Sequence, residues 1–155
     1  MELRVVAVGE KPPSWVVDGV REYTRRMPSQ LPVNVTTVRS GASRSGADAE
    51  QGKAEEGKRL IAASRDCRRI ALDAGGRHWD TATLARWLDD WLIDGRDVAF
   101  LVGGADGIAA DCLAEADQRW ALSALTLPHM LVRVVVAEQL YRAWTMLNNH
   151  PYHRG

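Results

Sequence analysis

Val98-Ala99-Phe100-Leu101-Val102-Gly103-Gly104-Ala105-Asp106-Gly107 is an apolar run of strand length that stops abruptly in a glycine-rich loop. Five β-branched, aromatic and aliphatic positions predict a strand. Gly103, Gly104 and Gly107 predict a chain that turns tightly or lets a ligand approach the backbone. The same alternation of strand, loop and helix extends in both directions. Leu3 to Val8 predicts a buried strand stopped by Gly9, and Pro12-Pro13-Ser14 opens a helix with Trp15, Val16, Gly19, Val20 and Tyr23 along one face. Val33, Val35 and Val38 predict a second strand. Arg39 to Asp48 has no apolar anchor and predicts a mobile loop. A charged helix follows over Glu50 to Ser64, then a third strand over Arg69 to Leu72, then the loop Asp73-Ala74-Gly75-Gly76. Asp80-Thr81 caps a helix whose Leu84, Trp87, Leu88, Trp91 and Leu92 make one apolar stripe. Beyond the opening stretch come a helix from about Ile108 to Trp120, a fifth strand or extended loop over Leu122 to Leu127, and a last helix from His129 to Leu147. Strands alternating with helices throughout imply an α/β fold, a mostly parallel sheet with helices on both faces. No linker divides residues 1–155, so a single domain is expected.

Composition narrows the function. The chain has 155 residues, 46% of them hydrophobic, enough for one buried core. Lys+Arg and Asp+Glu both number 20, so the net charge is zero, which argues against coating nucleic acid by bulk electrostatics and leaves room for a local basic patch. Cys67 and Cys112 are far apart, match no metal spacing and are expected to be buried thiols. No signal peptide is visible, and no apolar run reaches the ~18 residues of a membrane span. The expected setting is soluble, reducing and cytoplasmic, with no membrane partner.

In an open α/β sheet, ligands bind at the carboxyl ends of strands. Three segments leave such ends here: Leu72 to Gly76, Val102 to Gly107, and Leu122-Ser123-Ala124-Leu125-Thr126-Leu127-Pro128. Each alone reads more readily as a turn; together they favour a small-molecule pocket. None matches a phosphate-binding loop or the Gly-x-Gly-x-x-Gly fingerprint. The lining, apolar and neutral, suits an adenosine-type ligand without phosphates. His78, His129, His150 and His153 lack metal-ligand spacing with any carboxylate, so no metal is expected. His129 starts a helix, where it could simply cap. Glu138 and Arg142 stand four apart, acid before base, as a structural ion pair would. The last helix is apolar on almost every side. The sheet can cover one side, and a second copy of the chain across a two-fold axis is the favoured cover for the other, against burial inside the monomer. After it comes His150-Pro151-Tyr152-His153-Arg154-Gly155, which is either a solvated end or a cluster that completes a site, since such groups bind anions, stack on bases and move protons.

Phe100 to Gly107, Leu122 to His129, Leu131-Val132-Arg133-Val134, Glu138 to Trp144 and Asn149 to Arg154 resemble the RlmH family, the ribosomal large subunit pseudouridine N3-methyltransferases of the SPOUT superfamily. Leu3 to Gly9 and Trp79-Asp80-Thr81 fit as well, so the resemblance covers essentially the whole chain. It departs at Ala74-Gly75-Gly76-Arg77-His78 and at Gly155. The resemblance implies a Rossmann-like sheet with a C-terminal trefoil knot, a homodimer, S-adenosylmethionine as cofactor, and a pseudouridine of 23S rRNA in the assembled ribosome as substrate. It implies that Leu72, Gly103, Gly104 and the run Leu122, Ser123, Ala124, Leu125, Thr126, Leu127 hold the cofactor. Tyr152, His153 and Arg154 would approach the target base, in the dimer at the partner's cofactor site, with His129, Glu138 and Arg142 as supporting polar groups. Arg154, Arg142, Lys11, Arg39 and Arg44 are candidate RNA contacts. The competing expectations are a ribosome-associated binding protein that has lost catalysis and a SPOUT methyltransferase acting on tRNA, which leaves the tail without a role.

Overall fold

A computed structural model describes residues 1–41 and 46–154. Arg44 and the centre of the expected 39–48 loop lie outside the described residues. The element order is β1 (Leu3–Val8), α1 (Ser14–Thr24), β2 (Val33–Val38), α2 (Gly46–Ala63), β3 (Arg68–His78), α3 (Thr81–Asp94), β4 (Val98–Val102), α4 (Ala110–Ala114), β5 (Gln118–Ala121), α5 (His129–Leu147) and a 3-10 turn over Pro151–Arg154. The five strands form one sheet in the order β2-β1-β4-β3-β5, and every pairing is parallel. A parallel pair cannot be closed by a hairpin, so each return of the chain requires a crossover, and a helix supplies each one.

Alternation along the strands sorts residues into two cores. Leu3, Val5 and Ala7 of β1 and Val98, Phe100 and Val102 of β4 pack with Leu84, Leu88 and Trp91 of α3 and Val136, Leu140 and Ala143 of α5. Val6, Val8, Ala99 and Leu101 point the other way, onto Leu60 of α2 and Cys112 of α4. Each fully buried leucine, such as Leu84, Leu88 or Leu140, contributes about 1.5–3 kcal/mol. Cys67 and Cys112 are free and buried, as expected, and burial pushes both thiols up.

From β3 onwards the chain departs from expectation in three places. The fifth strand is Gln118–Ala121, not Leu122–Leu127, and the helix expected to run to Trp120 is only Ala110–Ala114. The chain leaves that helix early because Asp117 N donates to Arg69 O at 2.9 Å and Asp117 Oδ2 accepts from Arg69 N at 2.8 Å, which zips the following residues to β3. Trp120 and Ala121 then bury themselves, and Leu122–Leu127 is left as a loop. The third strand does not end at Leu72. It continues to His78 after a bulge, since Leu72 and Arg77 both pair with Trp120. Gly76 makes this possible: a Cβ there would lie 2.6 Å from the Arg119 carbonyl carbon.

The third departure concerns α5. It is flanked by α1 and α3 as well as resting on β1 and β4, so the monomer itself covers much of the surface expected to need a second copy. Val134, for example, packs where a Cβ on Gly19 of α1 would meet it at 3.2 Å. Leu131, Val135 and Met146 remain half-exposed on its outer face. Among the described residues no helix is long and apolar enough to cross a membrane.

Candidate functional site

Residues of β3 around its bulge and the segments that follow β4 and β5 converge on one cleft of about 460 Å³. Leu72 comes from β3, Gly103 and Gly104 from the turn after β4, and Leu122, Ser123, Ala124, Leu125, Thr126 and Leu127 from the loop after β5; all nine line it. The volume falls within the range of small-molecule sites.

The walls are set by local chemistry. After β4 the chain closes on itself: Gly107 N donates to Gly104 O at 3.0 Å, and Gly107 holds φ +80°, a conformation that disfavours a side chain. Gly103 has no room for a side chain either, because a Cβ would meet the Gly107 carbonyl carbon and Ile108 Cγ1 at 2.8 Å each. The turn and the ligand-site readings of this loop are thus the same structure: a tight turn whose outer side is cleft wall. After β5, Ser123 Oγ accepts from Leu125 N at 2.9 Å and curls the loop, leaving Leu125 74% exposed at the rim. An apolar side chain presented to solvent beside a cleft is suited to closing over an apolar ligand.

His129 also lines the cleft. Its expected alternative role, capping, is not taken up: Pro128 occupies the N-cap of α5, which has no side-chain cap, and His129 Nδ1 is buried without a partner. Asp73, inside the Leu72–Gly76 segment, and His78, weighed in the sequence only as a metal ligand, line the cleft too. His78 reaches it only because β3 runs on past its bulge, and the glycine pair before Arg77 was the available signal for that. Trp79, which follows β3, stacks on Trp120 at 5.2 Å and belongs to an aromatic cluster with Trp87 and Trp91. Among the described residues no group of His, Cys, Asp and Glu could hold a metal.

The remaining candidates form a second group. Arg142 Nε donates to Glu138 Oε1 at 2.7 Å, so the expected ion pair forms. The Arg142 guanidinium lies 4.8 Å from the centre of the Tyr152 ring, which itself packs on Tyr141 at 4.8 Å and Tyr23 at 6.5 Å. The tail is therefore folded back on its own helix. His150 Nδ1 accepts from Tyr152 N at 3.2 Å, and His153 Nδ1 is buried without a partner. Burial, then the neighbouring Glu138 carboxylate, raises the Tyr152 phenol, while the hydrogen bond that Arg142 donates to Glu138 raises Arg142. Tyr152 is thus a neutral hydrogen-bonding group at physiological pH.

These two groups are apart. Neither Glu138 and Arg142 nor Tyr152, His153 and Arg154 line the cleft. Arg142 follows His129 by 13 residues on a continuous helix, roughly 20 Å along the axis at about 1.5 Å per residue. Arg154, Lys11 and Arg39 are exposed, whereas Arg142 is engaged with Glu138.

A family model described as "Predicted SPOUT methyltransferase" matches residues 1–153. The Ribosomal RNA large subunit methyltransferase H of Alkalilimnicola ehrlichii is 51% identical over 155 residues, 100% of each chain. Among solved structures, a probable methylase family protein from Haemophilus influenzae aligns with TM-score 0.61 at 15% identity, over 97% of this chain and 69% of its own. A Legionella pneumophila protein solved in complex with the bound cofactor SAM aligns with TM-score 0.52 at 11% identity, over 93% and 66%. At such identities the two structures speak to the fold alone. The near full-length family match and the full-length relative carry the assignment: the chain belongs to the SPOUT methyltransferase family.

Proposed function

We propose that the protein transfers a methyl group from S-adenosylmethionine to N3 of a pseudouridine in 23S rRNA of the assembled ribosome, acting in the cytoplasm as a homodimer of one-domain subunits. The observation that carries this reading is the convergence of β3 and the segments after β4 and β5 on a single cleft. A knotted carboxyl-terminal part is the chain path that would hold those segments together, and belongs to the same proposal. The relative named for large-subunit rRNA methylation supplies the substrate class.

The cleft fits the cofactor on its own terms. It has a tight glycine turn at Gly103, Gly104 and Gly107 along one wall, apolar side chains for an adenosine, and an orphaned His129 Nδ1 to meet a polar group. Leu72, Gly103, Gly104 and Leu122 to Leu127 would hold S-adenosylmethionine, with His129 at the mouth. When bound, the cofactor supplies a methyl group on a positively charged sulfur, already activated for transfer.

The chain's own task is positioning and proton handling. N3 of a pseudouridine is an imide nitrogen, nucleophilic once its proton has left. Tyr152 keeps its own proton and suits holding the base by a hydrogen bond. His153, an imidazole with a free Nδ1, is the group that takes the N3 proton. Arg154 stabilises the resulting anion or grips a phosphate. Because Tyr152 packs on Arg142, which lies roughly 20 Å along α5 from the cleft residue His129, the tail serves the partner's cleft. Leu131, Val135, Arg142 and Met146 follow one another along the outer face of α5 at near-helical spacing and form the matching two-fold surface. RNA contacts come from Arg154, Lys11, Arg39 and Arg44. With no net charge and no separate RNA domain, the ribosome contributes much of the recognition.

The test is transfer of labelled methyl groups from S-adenosylmethionine to ribosomes from cells lacking the gene, and to the same rRNA stripped of protein. One methyl per ribosome on a pseudouridine and poor transfer to naked rRNA are expected. No transfer to ribosomes, or efficient transfer to naked rRNA, contradicts the reading.

A further inference from the structure

Arg133 is unlike the other charged residues described. Its side chain is only 1% exposed. Nη2 donates to the Val8 carbonyl at 3.1 Å, while Nε and Nη1 are buried with no partner. Among the described residues it joins no ion pair. A guanidinium stays charged in proteins, and a buried charge without a counter-charge is costly to keep. Burial does lower its proton affinity, without supplying a partner.

Its place in the fold says what the charge faces. Arg133 lies one helical turn after His129 and borders a groove of about 410 Å³ between α1 and the edge strand β2. Val16, Val20 and Val35 are among the walls, and exposed Arg21 adds a second cation. Beside Arg133, a Cβ on Gly9 would lie 3.0 Å from Arg133 Nη2 and 3.7 Å from His129 Cε1. The groove therefore abuts the residue that stands in the cofactor cleft. The sheet order reverses between β1 and β4, and it is at such a reversal, beyond the carboxyl ends of the strands, that open α/β sheets take ligands. Arg133 is anchored to the last residue of β1, at that point.

Resting on the methyltransferase reading above, we infer that Arg133 receives a phosphate of the RNA strand, so that the α1–β2 groove holds a nucleotide flanking the target base. The unpartnered Nε and Nη1 keep N–H groups available to donate to a phosphate oxygen, and a desolvated guanidinium binds an oxyanion more strongly than an exposed one. The valine walls give the attached nucleoside an apolar seat. The other oxyanion within reach of this region is the carboxylate of the cofactor, and the test separates the two.

The experiment pairs calorimetry of S-adenosylmethionine binding with steady-state methylation of ribosomes for Arg133→Gln. A cofactor Kd within twofold of wild type is expected, with the ribosome KM raised about 10- to 100-fold and kcat little changed. Arg133→Lys should recover part of the KM. A weakened cofactor Kd with an unchanged ribosome KM would overturn the proposal in favour of the carboxylate. Should Arg133→Gln fail to fold, Thr37→Asp decides: this exposed groove residue gains a negative charge that should raise KM, and an unchanged KM refutes the site. A separate arm follows the Arg133 Nε–H signal by NMR in the wild-type protein. It should shift with uridine 3′,5′-bisphosphate and not with uridine or methionine. A signal unmoved by the bisphosphate overturns the proposal. This arm needs no turnover, so it stays readable if ribosomes prove not to be the substrate.

Discussion

Gly103→Ala puts one methyl group where the loop after β4 has no space for it. The added carbon would sit 2.8 Å from the Gly107 carbonyl carbon, 2.9 Å from its oxygen and 2.8 Å from Ile108 Cγ1, against 3.4 Å for the near edge of ordinary contact. The shortfall is 3.4 − 2.8 = 0.6 Å, and two of the three atoms are backbone. That backbone cannot drift freely, since Gly107 is tied to Gly104 O at 3.0 Å and already holds a positive φ. Overpacking of this kind costs about 1–3 kcal/mol. In a domain of this size that lowers Tm by roughly 2–12 °C, at about 2–4 °C per kcal/mol. The displaced turn is cleft wall, so the S-adenosylmethionine Kd should rise at least about tenfold, about 1.4 kcal/mol. Differential scanning calorimetry and titration calorimetry read the two effects. Gly95→Ala is the control: Gly95 C-caps α3 with φ +82° and open space around its Cβ position, so Tm should fall while cofactor affinity stays put. A Gly103→Ala protein with wild-type Tm and a Kd within twofold would refute the claim that this turn is both tight and part of the site.

Leu88→Ala empties a fully buried position between α3 and the sheet and should cost about 2–5 kcal/mol by thermal or urea unfolding. Asp80 Oδ1 accepts from Thr83 N at 2.8 Å, and that hydrogen bond holds its carboxyl below the ordinary value of 3.8. A folded-state value below the unfolded one stabilises the fold above that range and is lost as pH falls through it. The Tm gap between wild type and Asp80→Ala should therefore be full at neutral pH and shrink below about pH 3.8, as followed by circular dichroism. Leu131→Asp charges the outer face of α5; sedimentation should show monomers that bind S-adenosylmethionine and transfer no methyl group. Removing residues 151–155 should leave cofactor affinity intact and cut ribosome methylation at least about 100-fold. Mixing that truncated chain with Gly103→Ala should restore activity through one intact cleft and one intact tail.

The strand-and-loop pattern around Val98–Gly107 was legible because buried parallel strands are continuous apolar runs and glycines punctuate their ends. β1, β4, α3 and α5 were readable for the same reason, each having a strong period or a clear stop. β5 was not. Gln118 and Arg119 give Gln118–Ala121 no apolar run, and its pairing is imposed by Asp117 and Arg69, distant in sequence. Leu122–Leu127 has the apolar content of a strand, yet its leucines serve a cleft, and content alone cannot tell the two apart. The bulge in β3 hid in a glycine pair that reads equally as a turn. Of the site, the cleft-lining segments could be named from sequence because two follow strand ends and the third sits at the β3 bulge, where the sequence reads as a strand end. The separation of cleft from tail could not, since it depends on α5 running as one unbroken helix between them. Arg133 is inconspicuous in an apolar helix; only its missing partner, visible in three dimensions, sets it apart.

The central claim is that this fold methylates one pseudouridine of the large ribosomal subunit. Mass spectrometry of 23S rRNA fragments from cells with and without the gene tests it directly. A single pseudouridine should lose one methyl group in the deletion and regain it with the wild-type chain but not with the chain lacking residues 151–155. An rRNA methylation pattern unchanged by the deletion would contradict the account.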